Sequence, residues 1–127
     1  MPRKKSPVLT EAELRVMEEL WKLGRGTVAD VTKALPPPPL AYNTVLTILR
    51  ILEQKGHVRH EESGRAFVYE PRVGRDDAAQ SAVNQVVSKF FGDRTGALAL
   101  RLIEKERPSA QELARLRALI EQYEEAE

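Results

Sequence analysis

The chain has 127 residues, 42% of them hydrophobic and 31% charged, with a net charge of +1 and no cysteine. This length suits one typical domain, or a small domain with a helical appendage, and the missing cysteine excludes a disulfide framework, a thiolate metal site and a thiol nucleophile. Its apolar runs fall far below the roughly 18 residues that span a bilayer, and "MPRKKSPVL" has no apolar core of a secretory signal, so a cytoplasmic protein with no membrane association is expected.

Thr10-Glu11-Ala12-Glu13 is a capping box, with Leu9 and Leu14 at the two staple positions around it. Leu14, Met17 and Trp21, flanked by Val16 and Leu20, repeat at helical spacing, and Gly24 and Gly26 stop this first helix. Thr27 caps a short second helix whose Val28, Val31 and Leu35 share a face; Pro36 to Pro39 end it, because proline lacks an N–H and clashes with the preceding turn. A third helix is predicted from about Ala41 to Lys55, closed by Gly56. At about 100° per residue, Val45, Ile48, Leu49 and Leu52 fall on one side and Asn43, Thr47, Arg50 and Gln54 on the other.

Residues 57–61 and 66–70 are rich in β-formers and are joined by "ESGR", in which Gly64 can take a positive φ; they read as one hairpin ended by Pro71. Helical patterning resumes near Arg75, with Ala79, Val83, Val86 and Phe90 on one stripe, and Gly92 ends it. A shorter helix over about 95–104 carries Leu98 and Leu102 on one face. A second capping box, Ser109 to Glu112, opens a last helix with Leu113, Leu116, Ile120 and Tyr123 in register, and the acidic tail "EQYEEAE" is expected to fray.

Three small helices followed by a hairpin give a mostly α chain with a small β-hairpin: a winged helix-turn-helix domain over residues 9–71, preceded by a basic disordered arm over 1–8. The three helices over 72–127 are too thin to form a core alone. Their apolar stripes (Phe90, Phe91, Leu98, Leu102, Leu113, Leu116, Ile120 and Tyr123) call for a partner, most simply the same segment of a second copy, with packing against the winged helix as the alternative. Charge is nearly even: residues 1–70 hold 11 basic against 9 acidic side chains, and residues 71–127 hold 9 against 10. Charge placement must therefore carry any nucleic-acid binding.

"LTEAELRVMEELWKLG", "NTVLTILRILEQKGHV", "GRAFVYEP" and "FFGDRTGALALRLIEKERPSAQELARLRALI" together resemble the penicillinase/methicillin-resistance repressors, the BlaI/MecI type grouped with the copper-responsive CopY. The resemblance covers about residues 8–123. Its most specific pieces are Glu-x-x-Val-Met-x-x-x-Trp from Glu13 to Trp21, Thr44-Val45 with Thr47, Lys55-Gly56 and Phe91-Gly92. It implies a homodimeric bacterial transcriptional repressor of β-lactamase or related stress genes, which reads a palindromic double-stranded operator and dimerises through its C-terminal helices. In the sensor-linked members a protease system cleaves the dimerisation region at an Asn-Phe bond. Here Arg101-Leu102 stands at that candidate proteolytic site, a departure that counts against induction by the same protease. The copper branch carries a C-terminal cysteine motif, absent here, so thiolate copper sensing is excluded.

Tyr42, Asn43, Thr44, Leu46, Thr47 and Arg50 are the candidate base- and phosphate-contacting residues of the third helix. A helix fits the major groove, where asparagine can read adenine, arginine guanine, and an apolar side chain such as Leu46 a thymine methyl. In the family, basic residues stand at the positions of Asn43 and Leu46, so its operator sequence does not carry over. Arg65 at the hairpin tip, with Arg59 and His60 nearby, suits phosphate contact by a wing over 61–66, and Arg3, Lys4 and Lys5 could trail along the backbone. His57 and His60 point opposite ways on a regular strand, so no metal site is expected. No cofactor and no catalytic group are expected either.

Two rivals to the repressor remain: a winged-helix protein–protein adaptor, which the near-neutral charge favours, and a regulator whose DNA binding is controlled by a small ligand near residues 71–79. The four prolines, stiff and extended, are expected to fix where helix three starts and how it enters the groove. In the relatives a Trp stands where Leu40 follows the prolines.

Overall fold

The computed structural model describes residues 8–126, so the expectations placed on Arg3, Lys4 and Lys5 lie outside the described residues. The elements are α1 (Glu11–Leu23), β1 (Gly26–Thr27), α2 (Val28–Ala34), α3 (Tyr42–Lys55), β2 (Val58–Ser63), β3 (Ala66–Pro71), α4 (Arg75–Phe90), α5 (Thr95–Glu106) and α6 (Ala110–Glu125). They form two compact units, one up to Gln85 and one from Val86 onward.

The first unit is a winged helix. Its core is one cluster: Val16, Met17 and Leu20 of α1, Val28 and Val31 of α2 with Leu35 just beyond it, Val45, Ile48, Leu49 and Leu52 of α3, and Val58 and Tyr69 of the hairpin. On α3 these are the four residues that helical spacing groups on one side. On α1 the buried stripe is shifted. Val16, Met17 and Leu20 point inward, Trp21 and Leu9 pack at the margin, and Leu14 is 40% exposed. Leu14 is therefore not a core residue as its spacing suggested; Glu13, one position earlier, faces inward because it has a buried cationic partner in Lys55.

Both capped helix starts expected in this unit form, and the cap at Thr27 proves to be a full capping box as well. The Thr10 hydroxyl accepts from the Glu13 amide at 3.2 Å while the Glu13 carboxylate accepts from the Thr10 amide at 2.8 Å. Thr27 and Asp30 repeat the exchange for α2, satisfying amides that a helix start otherwise leaves open.

The hairpin turns at Gly64-Arg65, with Ser63 opposite Ala66, and Gly64 takes φ +64°, open to glycine at little cost. The sheet is larger than the hairpin by one strand. Gly26 pairs with Tyr69 and Thr27 with Val68, so β3 lies between β1 and β2. Gly26, expected only to stop α1, is thus also a strand residue. A Cβ there would lie 3.2 Å from the Asp30 Cβ, so a larger residue would crowd the start of α2.

The connection between α2 and α3 is not the straight polyproline rod expected from four consecutive prolines. It bends at Pro37 and Pro38, whose peptide bond is cis, and Leu40 then packs against the core.

In the second unit α4 ends at Phe90, and α5 and α6 follow. The acidic tail does not fray as expected; α6 runs through it to Glu125. Ser109 and Glu112 form the second expected capping box. None of the described residues of α5 or α6 is fully buried.

Candidate nucleic-acid interface

The outer face of α3 is built by exclusion. Once Val45, Ile48, Leu49 and Leu52 enter the core, the 3.6-residue period forces Asn43, Thr47 and Arg50 outward; Tyr42 and Thr44, in the first turn and nearer the edge of the core face, are exposed with them. Leu46 lies half-buried at the rim, partly packed against the core. The six α3 positions singled out in the sequence therefore share one helix.

Their hydrogen-bonding state narrows what they can do. The Thr47 hydroxyl donates to the Asn43 carbonyl at 2.9 Å, so its single proton is in use and its lone pairs and methyl group remain for a ligand. Among the described residues no hydrogen bond or ion pair engages the Arg50 guanidinium, and it keeps its full set of donors. Ala41 gives α3 no side-chain cap.

The wing departs from expectation in its charges. Arg65 stands exposed at the turn, with no hydrogen bond or ion pair among the described residues. Arg59 is held by Glu70 and, at 3.3 Å, by Glu61. The phosphate-contacting role expected of it is therefore contested by two carboxylates on its own sheet. His60 is not free at the tip either. Its Nδ1 lies 2.6 and 2.8 Å from the two Glu53 oxygens, and its ring stacks on Phe67 with centroids 4.4 Å apart. A carboxylate only accepts, so that nitrogen donates. This contact ties β2 to the last turn of α3. Tyr69, buried beside it, has a phenol pushed above its ordinary range by burial and the Glu53 carboxylate, against the opposing Arg50 charge. His57 is buried at the α3–β2 junction, and among the described residues no cluster of metal-ligating side chains occurs.

Three contacts within this unit carry no local sequence signal. Lys55 and Glu13 form an ion pair at 2.8 Å with both side chains only 7% exposed, and the Lys55 ammonium also reaches the Val8 carbonyl. Burial pushes the Glu13 carboxyl up, but its bonds to Lys55 and the Thr10 amide outweigh that and hold it below its ordinary value. Arg15 on α1 donates to the carbonyls of Pro36 and Pro38. The Trp21 indole donates to the Val73 carbonyl at 2.9 Å, while Arg75 lies over the Trp21 ring and pairs with Glu18 at 3.0 Å.

The second unit places its predicted interface residues in two ways. Phe90, Leu102, Leu113, Ile120 and Tyr123 are exposed, Phe90 by 77% and Tyr123 by 69%; Phe91, Leu98 and Leu116 are half-buried. Leu102, Ile103, Leu116 and Leu119 line an open groove of about 640 Å³ between α5 and α6. Arg101 and Leu102 lie within α5, both exposed. No helix among the described residues is long and apolar enough to cross a membrane.

The family profile described as "Penicillinase repressor" matches residues 9–122. The penicillinase repressor of Bacillus licheniformis is 28% identical over 121 residues, covering 94% of each chain. The transcriptional regulator BlaI of Mycobacterium tuberculosis is 34% identical over 103 residues, covering 70% of this chain and 75% of its own. The solution structure of the DNA-binding domain of the repressor BlaI superimposes with a TM-score of 0.51 at 36% identity, covering 59% of this chain and 93% of that domain. With the match running from the start of α1 through most of α6, the chain belongs to the penicillinase repressor family, a family of transcriptional repressors.

Proposed function

We propose that the chain acts as a homodimer that represses transcription by occupying a palindromic operator. The winged helix over 9–71 reads the duplex and the helices over 72–127 form the dimer. The observation that carries this reading is the outer face of α3. It is an exposed set of amide, hydroxyl and guanidinium groups on a helix whose opposite face is fully committed to the core. Such a helix is rigid enough to present base-reading groups in fixed register. The similarity of this unit to the DNA-binding domain of BlaI supports the same role.

In this reading Arg50 reads a guanine edge or clamps a phosphate. Asn43 reads an adenine, and Tyr42, Leu46 and the Thr47 methyl supply apolar contact. Arg65 touches the backbone from the wing, with Arg59 secondary because of its carboxylate partners. The exposed apolar residues of α4 to α6, from Phe90 to Tyr123, pack against the same helices of a second copy; an isologous pairing presents two α3 helices to two half-sites. Release by a sensor-linked protease at Arg101-Leu102 would require α5 to unwind locally, since both residues lie inside a helix.

The experiment is a competition: a duplex selected by the chain from a randomised pool, against a scrambled duplex of the same composition, across a salt series. Preference for the selected duplex that persists with salt supports the reading; equal affinity for both duplexes at every salt rejects it. Thr47→Ala with Arg50→Ala should lower affinity for the selected duplex by about a hundredfold and leave the sedimentation coefficient unchanged.

A further inference from the structure

The turn between α2 and α3 has a chemical peculiarity. Pro36 to Pro39 contribute four carbonyl acceptors and no backbone N–H. A turn without donors cannot tie itself with the usual backbone bonds, so whatever orders it must donate from elsewhere. Arg15 does this. From the middle of α1 its Nη2 reaches the Pro36 carbonyl at 2.8 Å and the Pro38 carbonyl at 2.5 Å, spanning more than twenty residues of sequence. Glu11 and Glu19 stand one helical turn to either side of Arg15, yet no ion pair joins it to them among the described residues; the guanidinium is committed to the turn.

We infer that Arg15 is a positioning residue for duplex reading: by clamping the donor-free proline turn onto α1, it sets the place and direction in which α3 begins. This rests on the reading of α3 as the recognition helix. Three facts converge on it. Leu40 packs against the core immediately after the clamped segment, and α3 starts two residues later at Tyr42. Ala41 offers no side-chain cap, so the first turn of α3 has no local anchor of its own. The residues nearest that start, Tyr42, Asn43 and Thr44, are half of the six candidate contact residues of α3, so a small swing of the turn displaces them most. A guanidinium suits the task because its fork of donors is planar and preset, whereas a lysine ammonium is a single point charge on a flexible stem.

The test uses the full-length chain, the pool-selected duplex and its scrambled control. Arg15→Ala should lower the ratio of selected to scrambled affinity by about tenfold. The salt slope should not change, because Arg15 touches carbonyls and no phosphate. Arg15→Lys keeps the charge and should recover only part of the ratio. Thermal melting and sedimentation of each variant separate loss of fold or dimer from loss of reading. Three results overturn the inference: an unchanged affinity ratio in a folded Arg15→Ala chain, a salt slope lowered by about one unit, which would make Arg15 a phosphate contact, or complete restoration by lysine, which would reduce its role to charge. A wild-type chain that selects no duplex at all would instead remove the recognition-helix reading, and this inference with it.

Discussion

The two units of this chain use apolar residues in opposite ways. Up to Gln85, three helices and a three-stranded sheet close around a single cluster in which Val16, Met17, Leu20, Val31, Val45, Leu49 and Leu52 have no exposed surface. Among the described residues from Val86 onward only Val87 is buried, while Phe90, Leu100, Ile120 and Tyr123 are all more than half exposed. A sheet and crossing helices can enclose a volume within one chain. Two and a half helices can cover only one another's flanks, and the groove between α5 and α6 stays open. The first unit is complete as a single chain, and the second carries apolar area that a single chain does not bury. Apolar area left exposed in this way is what the proposed dimer would bury.

The comparison can be broken most sharply in the core. Leu49→Ala should cost about 3 kcal/mol in the urea unfolding of the first unit; a loss under about 1 kcal/mol would mean the α3 seam is looser than its burial implies. Glu13→Ala, which leaves the Lys55 ammonium buried without its partner, should cost about 3 kcal/mol as well. Ile120→Asp should leave the unfolding of the first unit unchanged, yet lower the dimer association constant by about a hundredfold in sedimentation equilibrium. It should also shift the concentration dependence of melting. An unaltered association constant would place the dimer contact elsewhere.

Acid provides a smaller effect. The folded Glu13 carboxyl titrates below its ordinary value of 4.5, so its contribution to stability is complete above that pH and is lost as pH falls through the folded value. Urea midpoints of the first unit should fall below about pH 4.5, with a shallower fall in Glu13→Gln. The smallest expected change is Arg65→Ala, which should reduce the salt slope of duplex binding by about 0.9 with no change in either unit's stability. An unaltered slope would take the wing tip off the backbone.

Much of the candidate site was legible in the sequence because it depends on periodicity. The inward set Val45, Ile48, Leu49 and Leu52 leaves the outward set Asn43, Thr47 and Arg50 no other place. What could not be read was which outward groups already have partners. Arg59 and His60 look available in sequence, yet Glu70, Glu61 and Glu53 engage them once strand pairing and the α3–hairpin junction form. Leu14 shows the same limit from the other side: spacing groups it with Met17 and Trp21, yet Glu13 takes the inward place beside Lys55 and Leu14 stays 40% exposed.

By itself the sequence determined the helices, the hairpin and the caps: Thr10, Thr27 and Ser109 start their helices, Gly64 turns the hairpin, and the spacing of apolar residues assigns each helix an apolar side. These are local properties, decided within a few residues of chain. Only the tertiary structure decided the pairing of Gly26-Thr27 with β3, the Arg15 clamp on the proline turn, the Lys55–Glu13 bridge and the docking of Trp21 on Val73. Each joins groups 21 to 52 residues apart whose approach depends on how the helices pack, and no local pattern of residue types encodes that approach.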